Sequence, residues 1–144
     1  MRRMIPMELQ HASADFERFL ADAKELSGLA TRNQVYTMVQ GVLQVFRRRL
    51  DLEDAIRFAN VLPPLLRAIF VADWDTQAPR VAFGDRAAMT REAQALREHH
   101  NFAPASCISD VATALRKHVD VAAFRGVLAA LPPGAEEFWR VREK

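Results

Sequence analysis

The stretch from Arg47 to Phe70, RRRLDLEDAIRFANVLPPLLRAIF, comes back in altered form as RKHVDVAAFRGVLAALPPGAEEFW from Arg116 to Trp139. The offset is constant at 69 residues, so that Arg47 falls on Arg116, Asp51 on Asp120 and Leu62-Pro63-Pro64 on Leu131-Pro132-Pro133. Phe58 falls on Val127, Ile69 on Phe138 and Phe70 on Trp139, so apolar positions persist where residue types do not. A chain of 144 residues is the size of one ordinary domain. The expectation is therefore a single domain over residues 1–144, made of one unit at 13–75 and a second at 85–141. A linker at 76–84, held down by Val81 and Phe83, joins them.

Within each unit the periodicity is helical. Ser13 is the expected N-cap of a first helix whose Phe16, Phe19, Leu20, Ala23 and Leu26 share one face, and Gly28 supplies its left-handed stop. Thr31 and Gln34 have capping-box spacing at the start of a long second helix. Gly41 in its middle costs about 1 kcal/mol relative to alanine, so a second helix should approach closely there. Asp51 is the expected cap of a third helix, with Leu52, Ala55, Ile56, Ala59 and Leu62 as its buried stripe. Pro63 stops that helix, and Pro64 suits the first turn of a short fourth.

The second unit repeats the pattern. Asp85 should cap a helix carrying Met89, Ala93 and Leu96, which aligns with the first helix best at an offset of 70. Ile108, Val111, Ala112, Leu115 and Val119 form the next stripe, and Asp120 caps the helix leading to the second Leu-Pro-Pro corner. No segment alternates as a strand does. The fold class is all-α, a bundle of about eight helices in two sequence-related four-helix units.

The Phe-x-x-Phe-Leu helix, the long second helix, the Asp-capped third helix and the Leu-Pro-Pro corner together resemble the bacterial Domain of Unknown Function family 2267. The likeness covers roughly Ala14 to Val141 and is clearest from Phe16 to Phe70. The second unit departs from it by lacking the aromatic Phe-x-x-Phe-Leu start. The resemblance implies a small, duplicated, helical bacterial protein; it implies no established activity and carries over no catalytic residue.

Chemistry-bearing residues are sparse. Seventeen arginines against three lysines raise the pI, but eighteen carboxylates leave a formal charge of only +2, too little for general attraction to nucleic acid or an anionic membrane. Arg47, Arg48 and Arg49 are the densest basic cluster. They read either as cations complementing a helix C-terminus or as a patch for nucleic acid or a phosphate-bearing ligand. Arg116-Lys117-His118 echoes them. Trp74, between Asp73 and Asp75, is expected to pack over the junction of the two units.

The adjacent His99 and His100 lack the i, i+4 spacing of a zinc helix, so no metal site is expected. Cys107, the one cysteine, reads as a buried inert thiol and rules out an internal disulfide. No G-x-S-x-G elbow or glycine-rich phosphate loop occurs, so catalysis and cofactor binding have no positive support. Arg2 and Arg3 precede no apolar run of signal-peptide length, and no span of about 18 apolar residues exists. The expectation is a cytoplasmic, non-enzymatic helical binding or scaffold protein. Its partner is another protein or a second copy, met through a helical surface or the groove between the halves. The alternative is a nucleic-acid or phospholigand module acting through Arg47–Arg49.

Overall fold

Four of the helix starts are set by short polar side chains, as the spacing predicts. The Thr31 hydroxyl accepts from the Gln34 backbone N–H at 3.2 Å, while the Gln34 side chain accepts from the Thr31 N–H, completing the capping box. Asp51, Asp85 and Asp120 each accept from the backbone N–H three residues on, at 2.8 to 3.0 Å. Each such cap contributes about 1 kcal/mol by satisfying a donor the helix leaves open.

The computed structural model describes residues 5–141; Arg2, Arg3 and the charged residues after Val141 lie outside them. In chain order the described helices are α1 (Met7–Gln10), α2 (Ala12–Ser27), α3 (Arg32–Arg47), α4 (Leu52–Ala59) and α5 (Pro64–Val71). They continue with α6 (Arg86–Ala95), α7 (Cys107–Arg116), α8 (Val121–Ala130) and α9 (Ala135–Phe138). A 3₁₀ turn, Glu98–His100, lies between α6 and α7. No strand occurs among the described residues, and the all-α class holds.

Helices α2 and α3 do not pack chiefly on each other. The longest contacts run across the chain, α3 against α6 and α2 against α7, with α4 meeting α8. Gly41 marks the α3–α6 crossing: a Cβ there would stand 2.6 Å from the Ala93 carbonyl oxygen, so only glycine lets the backbones come this close. Around the crossing, Val35, Met38, Val39, Val42 and Phe46 of α3 are fully buried.

Beyond them lies a cluster of rings. Phe46, Phe58, Phe124 and Trp139 have centroids 4.7 to 6.1 Å apart, and Phe70 and Phe138 extend the cluster. Aromatic pairs at such spacings add about 0.5–1.5 kcal/mol each beyond area burial.

Three local expectations need correction. The first long helix starts at Ala12 with His11 at its cap, in place of Ser13, because α1 precedes it and hands over its last turn. The α4 stripe is rotated: Leu52 and Ile56 are 53 % and 52 % exposed, while Ala55, Phe58 and Ala59 face inward. Phe58 decides this, because turning its ring into the aromatic cluster buries more apolar area than either aliphatic chain would.

Leu96 lies just past α6 in extended backbone, where the Asn101 side chain donates to the Ala93 and Leu96 carbonyls. The helix after the second Leu-Pro-Pro corner is shorter than α5. Gly134 takes a φ of 105°, and α9 is a single turn.

Candidate functional site

The three arginines expected to form a patch end up on different partners. Arg47 closes α3 with only 6 % of its surface exposed. Its Nη1 donates to the carbonyls of Phe70 and Ala72, both at 2.9 Å, and so holds the end of α5. Trp74 lies over the same guanidinium, 5.3 Å from ring centroid to Cζ. Burial lowers the Arg47 pKa, and the charge of Asp73 works against that shift.

Arg49, also buried, donates through Nη1 to the Val45 carbonyl at 2.8 Å and forms a fork on Glu92 of α6 at 3.1 and 2.5 Å. Arg48 bonds the same carboxylate from the solvent side. Arg47, Arg48 and Trp74 line a cleft of about 500 Å³, in which Arg80 pairs with Asp51 at 3.8 Å and Asp73 and Asp75 add two further carboxylates. Trp74 therefore sits at the end of α3, where the linker returns and the Val81 N–H bonds the Arg48 carbonyl at 3.0 Å.

A second site emerges where no local motif marked one. His118, just beyond α7, bonds Asp22 of α2 through Nε2 at 2.6 Å, across 96 residues of sequence. His118, but not Asp22, lines a groove of about 440 Å³ cut between α2, Pro63 of the first Leu-Pro-Pro corner and the α7–α8 turn. Phe16, Leu65, Leu66 and Val119 supply apolar walls, and Asp15, Arg18 and Lys117 bring charges of both signs.

An adjoining pocket of about 300 Å³ shares Asp15, Pro63, His118 and Val119 and extends the groove to Glu8 of α1. The corner itself is rigid. Arg67 donates to the carbonyls of Ala59 and Leu62, both at 3.0 Å, satisfying acceptors that the end of α4 leaves open.

One signal could have found the His118–Asp22 pair. Shifting Arg49 by 69 residues gives His118, and shifting Glu92 back by 70 gives Asp22. The two contacts between distant helices thus occupy matching positions.

The remaining candidates are quiet. His99 and His100 are exposed in the 3₁₀ turn. Cys107 is fully buried, and burial pushes its thiol up to about 11, so it stays protonated at neutral pH. Among the described residues no group of three or more His, Cys, Asp or Glu side chains is placed to hold a metal ion, and no helix is long and apolar enough to cross a membrane.

No curated protein matches the chain. The family model described as uncharacterized conserved protein DUF2267 matches residues 16–138, nearly the whole chain, and the chain belongs to that family.

Proposed function

We propose that this protein is a non-enzymatic helical binding protein, built from two copies of a four-helix unit, that receives a segment of a protein partner in the groove beside His118. The duplication is supported by paired contacts. The α3–α6 crossing and the α7–α2 crossing exchange when the copies are exchanged, while α4 meets its own counterpart, α8. That is the arrangement of an isologous dimer made within one chain.

One observation carries the binding role. The groove lies between the halves, and α1, whose Glu8 lines it, leaves Met7 and Leu9 about half exposed or more, as is Ile5 just before it. Apolar surface beside a groove with mixed charges suits a peptide segment with an apolar anchor flanked by charges. The groove residues include His118 but no serine, cysteine or threonine beside it, so a hydroxyl or thiol nucleophile is not at hand.

Light scattering of the purified chain, with capture of partners on the immobilised protein, tests the proposal. A partner or a second copy should be held by the native chain and lost in Leu65→Arg, which puts a charge on the groove wall. Gln77→Arg, on the exposed linker, should change nothing. A strict monomer that captures nothing, or a partner held equally by Leu65→Arg, would overturn the reading. Binding of mixed DNA or RNA at low salt, lost on replacing Arg47, Arg48 and Arg49, would instead support the alternative. That alternative has only Arg48 largely in solvent, since Arg47 and Arg49 are buried on other partners.

A further inference from the structure

The end of α7 carries the counterpart of Arg47 without the partners that Arg47 has. Arg116 lies over the Phe124 ring, 5.4 Å from its centroid, and its Nη1 reaches only the Ala112 carbonyl, at 3.5 Å. It opens into a cleft of about 570 Å³ shared with Arg125 and Arg140. Among the described residues neither Arg116 nor Arg125 forms an ion pair. Arg140 pairs with Glu137 at 3.0 Å, but both side chains are more than half exposed, so that pair exchanges readily with solvent.

Glu136 is the carboxylate in the lining. Burial lowers the Arg116 pKa, and the like charge of Arg125 lowers it further, whereas Arg47 has Asp73 acting in the opposite sense. Two guanidinium groups facing one cleft repel each other, and an anion placed between them turns that cost into attraction. Val121 and Leu128 give the cleft an apolar wall, and its volume is that of a small-molecule site.

We propose that this cleft binds a ligand carrying a phosphate group on a small apolar body, with Arg116 and Arg125 gripping the phosphate. The site is independent of the groove beside His118, and either assignment stands without the other. Arginine matches phosphate through its planar fork of donors, which accounts for two such residues at the cleft.

Titration calorimetry of the full chain at low ionic strength, with phenyl phosphate as the probe, decides the matter. Saturable binding is expected, weakened about tenfold or more by Arg125→Met and by Arg116→Met. Because Arg125 is exposed, its replacement leaves the fold intact and keeps the test valid if Arg116→Met loosens the helix end. Glu136→Gln removes the competing carboxylate and should tighten binding severalfold. Arg57→Met, at an arginine already paired with Glu53 and Asp54, should leave the affinity unchanged.

Absence of saturable binding at millimolar phenyl phosphate overturns the proposal, as does equal weakening by Arg57→Met, which would mean general charge attraction. Inorganic phosphate binding as tightly as phenyl phosphate would overturn the apolar part of the assignment.

Discussion

The ends of α3 and α7 carry matching basic triplets, Arg47-Arg48-Arg49 and Arg116-Lys117-His118, with opposite fates. At the first, each guanidinium group has a protein partner: buried Arg47 on the carbonyls of Phe70 and Ala72, buried Arg49 and exposed Arg48 on Glu92. At the second, Arg116 faces a cleft with another arginine in it, and His118 meets Asp22 at the edge of a groove. The difference originates just past each Leu-Pro-Pro corner. Pro64 starts an eight-residue helix whose last carbonyls come within reach of Arg47. Gly134 turns the chain sharply under the Phe83 ring, α9 stops after one turn, and the corner is held by burying Phe138 and Trp139. A basic helix end is thus a structural clamp or an open site according to whether carbonyls are delivered to it.

The strongest way to break this comparison is at the first arginine of each triplet. Arg47→Met keeps much of the volume but strands two carbonyls that each accept a charged hydrogen bond, a loss of about 3–4 kcal/mol. Arg116→Met removes one long bond and the contact with the Phe124 ring and should cost about 1 kcal/mol, well below the loss at Arg47. Urea denaturation of the two variants measures both; similar losses would show that Arg116 is as structural as Arg47.

The next largest effect is expected at Arg49. Arg49→Met leaves the Val45 carbonyl and a partly covered Glu92 without their shared partner, costing about 2–3 kcal/mol. Adding Glu92→Gln should recover part of that loss, since the Glu92 charge, left with only the half-exposed Arg48 as its partner, is then gone. A double variant no more stable than Arg49→Met alone would place the whole cost in packing.

Alkaline pH should loosen the α7 half selectively. Cys107 takes the position that Met38 holds in α3, and both are fully buried, but only the thiol titrates. Its folded pKa of about 11 stands above the ordinary value of 9.0. Above pH 9 the unfolded chain releases this proton while the folded chain retains it. Stability is therefore full below pH 9 and declines up to about 11, by on the order of 2 kcal/mol. Comparing the native chain with Cys107→Ala between pH 8 and 11 isolates the effect, which should be absent in the variant.

Much of this fold is readable because its instructions are local. The Asp and Thr caps act over three residues, Gly28 needs only its own φ of 73°, and Gly41 announces a close neighbour by the cost of its presence. The face that α4 turns inward is not local. An eight-residue helix offers overlapping apolar faces, one through Leu52 and Ile56 and one through Phe58, and rings from other elements choose between them. The shortness of α9 depends on Gly134 meeting Phe83, which only the course of the linker brings there. The contact beside the candidate groove was least visible, because Asp22 and His118 are far apart in sequence and neither stands in a motif. Only the two offsets, applied together to Arg49 and Glu92, connect them.

The smallest expected change in stability is the sharpest test of whether the two helix ends are alternatives built on one frame. His118→Arg installs at the end of α7 the residue that α3 has in Arg49. Asp22 is partly exposed and already accepts from the imidazole, so an arginine fork should replace that bond with a stability change below about 0.5 kcal/mol. The longer side chain also reaches further into the groove between α2 and the first corner than His118, which lines its wall. Partner or self-association through the groove should then fall about tenfold or more while the unfolding midpoint stays in place. A loss of more than about 1 kcal/mol would mean that the α2–α7 contact requires the smaller ring and that the two ends are not interchangeable. Unchanged association in a stable His118→Arg would place the binding surface elsewhere and leave the groove as a by-product of how the halves meet.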